Sequence, residues 1–179
     1  MGKFFFSGSV SSKLDEKSRF VLPQEMRYGL VENGGLEFCL ALGLGGCLAI
    51  YRKSEIEKIV EKFQAKQHVA KFQKFFTLFF STLHQTTCDK IGRVHIPNML
   101  KNAVNLKSEI IIAGVLNKIE IWPKDLYEAN LKAVDLEEAF GLLEEPCQPK
   151  ETSEEMIFGT PTTKILAEAA MNTMGKTKA

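Results

Sequence analysis

The chain has 179 residues, 45% of them apolar and 25% charged, and its 23 basic and 22 acidic side chains leave a formal net charge of +1. This is the composition of an ordinary soluble globular protein, with length for one compact two-lobed domain and a tail. No apolar run reaches the roughly 18 residues of a membrane span, and Phe4-Phe5-Phe6 after Met1-Gly2-Lys3 is too short for a signal peptide, so the expected location is the cytoplasm, with no membrane partner.

The first recognisable element is a charged turn, Leu14-Asp15-Glu16-Lys17-Ser18-Arg19, which leads into the apolar strand Phe20-Val21-Leu22 and ends at Pro23. A short loop or helix follows, then two apolar strands joined at Gly43-Leu44-Gly45-Gly46 and ending at Tyr51. That glycine-rich stretch lacks the lysine and helix start of a phosphate loop and reads as a hairpin turn. From Ser54 the punctuation becomes helical. Ser54 and Glu57 have the spacing of a capping box, and Ile56, Ile59, Val60 and Phe63 follow at helical intervals, which predicts a helix from about Ser54 to Lys66. Next comes a segment rich in aromatics, with Lys71 and Lys74 interleaved among Phe72, Phe75, Phe76 and Phe79. It suits either the buried stripe of a second helix or a stacking platform for single-stranded nucleic acid, and the three- and four-residue spacing favours the stripe.

At Cys88 the chain repeats itself. Asp89, Gly92, Arg93 and Pro97 stand 74 residues after Asp15, Ser18, Arg19 and Pro23. The echo resumes with Asn117-Lys118-Ile119-Glu120-Ile121-Trp122-Pro123-Lys124, which answers Gly46 to Lys53 at an offset of 71, a connecting loop three residues shorter. Such agreement over acid, guanidinium and proline marks an internal duplication. Units this small hide a hydrophobic face poorly on their own, so the two are expected to share one core. The predicted organisation is a first repeat over 1–53, connecting helices over 54–80, a second repeat over 81–123, a helix over 124–145 with Asp125 near its positive end, and a mostly disordered tail over 146–179 with a short helix near Ile165 to Met171.

No catalytic machinery is visible. Cys39, Cys47, Cys88 and Cys147 show no C-x-x-C spacing, and His68, His84 and His95 are scattered, so neither a metal site nor a cofactor is expected. His95 falls at an outward-facing position of the repeated strand. There is no nucleophile elbow, phosphate loop or dinucleotide fingerprint, and no small-molecule substrate is implied.

The chemistry lies in the two turns. Asp15 and Asp89 can accept hydrogen bonds from backbone N–H groups two residues on, and Gly92 can supply a positive φ. Ser18 replaces that glycine in the first copy, at a cost of about 1–2 kcal/mol if the position is left-handed. Arg19 and Arg93 open the strands. They can pair with Asp15 and Asp89 within their own turns, a contact of about 0–1 kcal/mol when exposed. Alternatively Lys13, Lys17, Arg19, Lys90 and Arg93 face duplex DNA, two loops about one pseudo-two-fold axis straddling phosphates and sending arginine toward guanine edges. With so little net charge a single copy would bind weakly, and several copies per complex would compensate.

The duplicated D-x-x-x-R turns, the strands ending at Pro23 and Pro97, the strand ends at Tyr51 and Trp122, and the Gly114 to Trp122 segment together resemble the MraZ family of bacterial transcriptional regulators of the division and cell-wall gene cluster. The resemblance covers roughly Phe4 to Leu143. It implies an α+β fold, an AbrB-like swapped-hairpin β-barrel made from two internal repeats with helices after each, and a homo-oligomeric ring. It further implies nucleoid-associated binding at direct repeats in a promoter, that of its own operon included. The family's first turn falls on Asp15, Lys17, Ser18 and Arg19 and its second on Asp89, Gly92 and Arg93, with Ser18 the one departure. The competing expectation is a ring-forming scaffold whose turns and tail bind other proteins, with affinity that does not fall steeply with salt.

Overall fold

The computed structural model describes residues 4–144. Its sheet elements are β1 (Ser9–Lys13), β2 (Arg19–Val21), β3 (Glu37–Leu42), β4 (Leu48–Arg52), β5 (His84–Thr87), β6 (Arg93–His95), β7 (Glu109–Val115) and β8 (Lys118–Pro123). The helices are α1 (Gln24–Leu30), α2 (Lys53–Gln64), α3 (Ala70–Thr82), α4 (Asn98–Ala103), α5 (Lys124–Ala133) and α6 (Leu136–Glu144). The fold is α+β and its strand pairing is antiparallel.

A six-stranded sheet runs in the order β1-β7-β8-β4-β3-β5, and β2 pairs with β6 in a separate ribbon. The repeat explains that order. With β5 the counterpart of β1, β7 of β3 and β8 of β4, the sheet reads the same from either edge. The first strand of each half pairs with the third strand of the other, Lys13 opposite Glu109 and Thr87 opposite Glu37. The two halves also meet strand to like strand, through Ala49 opposite Glu120 in β4 and β8 and through Phe20 opposite Val94 in β2 and β6. A first half alone would keep only the β3–β4 hairpin. No ring of hydrogen bonds closes through all eight strands among the described residues.

Alternation along the strands supplies the core. Phe20, Leu22, Leu40, Leu48 and Ile50 from the first half and Val94, Ile96, Ile112, Ile119 and Ile121 from the second are buried in one cluster, each such side chain contributing about 1.5–3 kcal/mol. α1 and α4 begin directly after Pro23 and Pro97, whose φ of −52° and −57° suits a helix start and whose missing N–H costs nothing there. They add Leu30 and Leu100 to the same core.

A second apolar cluster lies on the other side of β3, where Cys39 and Ala41 meet Ile56 of α2 and Phe79 of α3, with Phe63 and Phe75 against them. The Phe63 ring centroid lies 4.8 Å from that of Phe76 and 5.4 Å from that of Phe79. The aromatic segment is thus the inward stripe of α3, with Phe72 and Phe79 buried.

Two local expectations are corrected. Ser54 does not cap α2, which starts a residue earlier, after Arg52, with no side-chain cap. Ser54 lies inside the first helical turn, and Glu32, in the connection between α1 and β3, accepts from its N–H at 3.1 Å and from its hydroxyl. The helix expected over 124–145 is two helices, α5 and α6. Asp135 separates them, its Oδ1 accepting from the N–H groups of Glu137 at 3.0 Å and Glu138 at 3.2 Å, an N-cap that starts a new helix. Among the described residues, those to Ala129 form one compact unit and those from Asn130 to Glu144 belong to a second. The tail, Cys147 and the short helix expected near Ile165 lie outside the described residues.

Candidate nucleic-acid interface

The β2–β6 ribbon presents Phe20 and Val94 to the core, so its other face carries Arg19, Val21, Arg93 and His95. Arg19 is opposite His95 and Arg93 is opposite Val21. The strands are antiparallel, so the charged turns, and with them Arg19 and Arg93 at the starts of the two strands, lie at opposite ends of the ribbon. Given a rise of about 3.4 Å per residue and about 4.8 Å between strands, the two arginine backbones are about 8 Å apart.

Each turn is built on one carboxylate. In the first, Asp15 Oδ1 accepts from the N–H groups of Lys17 and Arg19, both at 2.9 Å. Asp15 Oδ2 accepts from Arg19 Nε at 2.8 Å and faces Arg19 Nη2 at 2.7 Å. In the second, Asp89 Oδ1 accepts from Ile91 N at 3.1 Å and Arg93 N at 2.9 Å, and Oδ2 from Arg93 Nε at 2.6 Å. The backbone repeats as well: Ser18 N donates to Asp15 O and Gly92 N to Asp89 O, each at 2.9 Å. Ser18 has φ +57° and Gly92 φ +86°. The serine therefore keeps the turn geometry of the glycine and accepts a left-handed backbone to do so.

The electrostatics follow from this geometry. The Arg19 guanidinium, then the Arg19 N–H, holds the Asp15 carboxyl below its ordinary range. For Asp89 the Arg93 N–H contributes most and the guanidinium next, in the same direction. The ion pairing that the sequence allows is thus present in both turns. It leaves Arg19 and Arg93 with 28% and 35% of their side chains exposed. Lys17 and Lys90 are exposed at the tips, and Lys13, at the end of β1, lies 3.9 Å from Glu109. The ribbon therefore brings Arg19 and Arg93 onto one face, whereas Lys17 and Lys90 mark its two ends.

The tips are not copies of each other. Glu16 and Lys17 in the first answer to Lys90 and Ile91 in the second, and Ile91 is exposed. His95, expected to face outward, does so, and its place directly across from Arg19 makes it part of the same surface. Its repeat counterpart Val21 is exposed too. Only the register of β2 against β6 reveals this grouping.

Cys39, Cys47 and Cys88 are free, and burial pushes the Cys47 thiol up to about 12 and that of Cys88 to about 11, so both stay protonated at neutral pH. Among the described residues no three His, Cys, Asp or Glu side chains are grouped to hold a metal, and no helix is long and apolar enough to cross a membrane.

The chain is thus a duplicated α+β protein in which two copies of one unit exchange strands, each copy carrying an aspartate-anchored arginine turn. A family model described as "MraZ protein, putative antitoxin-like" matches the chain twice, over residues 5–78 and again over 79–140. The protein belongs to the MraZ family.

Proposed function

We propose that the protein is a sequence-specific, double-stranded-DNA-binding transcriptional regulator acting on the promoter of the division and cell-wall gene cluster, its own operon included. The observation that carries this reading is the pairing of Arg19 and Arg93 on one exposed face of a two-stranded ribbon with pseudo-two-fold symmetry, the arrangement that a duplex groove with two strands of phosphates can meet. Lys13, Lys17 and Lys90 extend the cationic surface toward the phosphates on either side. Asp15, Ser18, Asp89 and Gly92 hold the turns in shape. The protein works in the cytoplasm on nucleoid DNA and is not an enzyme.

Charge argues for assembly. Each turn carries one positive charge more than negative, Lys13, Lys17 and Arg19 against Asp15 and Glu16, and Lys90 and Arg93 against Asp89. Affinity grows with the number of phosphates neutralised, so a homo-oligomeric ring placing several copies on successive direct repeats raises it by multivalency. In this reading the eight strands wrap the shared core as a barrel of swapped hairpins, a view supported by the exchange of β1 and β5 between the halves.

The decisive experiment is a titration of the purified protein with a duplex spanning the region upstream of its own gene, against a scrambled duplex, over a range of salt. Preference for the promoter with affinity falling steeply as salt rises is the expected result. Equal, weak binding to both overturns it. The engagement of both arginines by carboxylates favours one rival, a ring-forming scaffold whose turns bind protein; that rival predicts partner affinity nearly independent of salt.

A further inference from the structure

Ser18 and Gly92 are one position of the repeat, and Arg27 and Lys101 are another, each pair 74 residues apart. In the fold these four residues meet crosswise. Lys101, in α4 of the second half, donates from Nζ to Ser18 Oγ in the first turn at 3.2 Å. Arg27, in α1 of the first half, sets its guanidinium against Gly92 in the second turn. A Cβ on Gly92 would stand 2.6 Å from Arg27 Cζ and Nη1 and 2.9 Å from Nε.

The two contacts are chemically different. The slender ammonium of Lys101 leaves room for a serine side chain and finds its oxygen. The guanidinium of Arg27 is broader and planar, and it occupies the space where a side chain at 92 would be. Arg27 Nε is buried with no hydrogen-bond partner among the described residues. An unsatisfied buried donor opposes folding, so packing against the second turn holds the group in place.

The contacts reach the ribbon. Ile96 N donates to Ser18 O and Leu22 N to Gly92 O, each at 2.9 Å, so a turn pushed by its neighbour carries the ribbon end with it. Arg19 and Arg93 are the next residues in the chain. We infer that Arg27 and Lys101 are positioning residues, each setting the attitude of the arginine turn in the opposite half, and that Ser18–Lys101 and Gly92–Arg27 are matched pairs that cannot be exchanged one residue at a time. The inference deepens the DNA-binding reading and rests on it for one of its two readouts.

The test uses the full chain with Lys101→Arg, Ser18→Gly and the double variant, which installs in the first turn the pairing found in the second. Affinity for the promoter duplex is measured beside amide exchange of Lys17 and Arg19 in the DNA-free protein, with thermal unfolding as the check on fold. Lys101→Arg should weaken binding by about tenfold and speed exchange at Arg19, and the double variant should return to within about threefold of the parent, as coupled neighbours do. Unchanged affinity and exchange in Lys101→Arg, or a double variant as impaired as the single, overturns the inference. If the parent itself shows no preference for the promoter, the DNA-binding reading fails, and the exchange data alone decide the bracing.

Discussion

Phe20 and Val94 face each other directly at the centre of the β2–β6 ribbon, and they are the same position in the two repeats. The pseudo-two-fold relationship therefore passes between two fully buried side chains on the inner face and between Arg19 and Arg93 on the outer. Core and candidate interface share one axis.

Loss of the larger side chain should accordingly affect both halves. Phe20→Ala removes a ring that is 1% exposed and should destabilise the fold by about 3–5 kcal/mol, the usual cost of a buried phenylalanine. Chemical denaturation followed by tryptophan fluorescence is a suitable measurement, since Trp122 lies in the second half. A single cooperative transition, displaced to lower denaturant, is expected. Separate transitions for the two halves would contradict a shared core.

Arg19→Ala with Arg93→Ala should abolish preference for the promoter duplex and leave folding intact. The turns survive because Asp15 and Asp89 still accept the backbone N–H groups of residues 17, 19, 91 and 93. A circular dichroism spectrum and elution volume matching the parent, with no salt-sensitive binding, is the expected pair of results. Full affinity in the folded double variant would sink the assignment of these arginines.

The same carboxylates make stability depend on acid. Asp15 and Asp89 are both held below their ordinary value of 3.8, so the fold favours the ionised form. Their contribution is fully present above that value and is lost as pH falls through it toward the lower folded-state values. Asp15→Asn with Asp89→Asn should lower stability at neutral pH and flatten its decline below about pH 4. Acid titration of the unfolding temperature tests this; an equally steep decline in the double variant would assign the acid sensitivity to other groups.

Much of this structure is legible in the chain, and the exceptions have physical causes. Asp, Arg and Pro recur at a fixed offset because the turn, the ribbon and the helix start each require a particular residue type. β1 and β5 escape notice because Ser9–Lys13 and His84–Thr87 are mostly exposed polar strands with no apolar alternation. α1 and α4 have only 7 and 6 residues, too few to show a helical period. Strand exchange is hidden for a different reason: patterning shows that Ile112 and Ile119 are buried, not which half supplies the neighbouring strand. The crosswise contacts of Arg27 and Lys101 depend on that exchange and are hidden with it.

Gly114 offers a final test of the close packing beside β7. A Cβ there would stand 2.5 Å from Ser7 N, 2.7 Å from Ser7 O and 2.9 Å from Phe6 C, all backbone atoms. A side chain could swing aside, but this backbone is tied by hydrogen bonds from Gly114 N to Gly8 O at 2.8 Å and from Phe6 N to Leu116 O at 2.7 Å. Gly114→Ala must therefore push the segment from Phe6 to Gly8 off the strand, at a cost of about 1–3 kcal/mol. Hydrogen exchange should show the loss at Phe6 and Leu116 first, while the Arg19 and Arg93 amides keep their protection. Retained protection at Phe6 with an unchanged melting temperature would show that the close approach is not required.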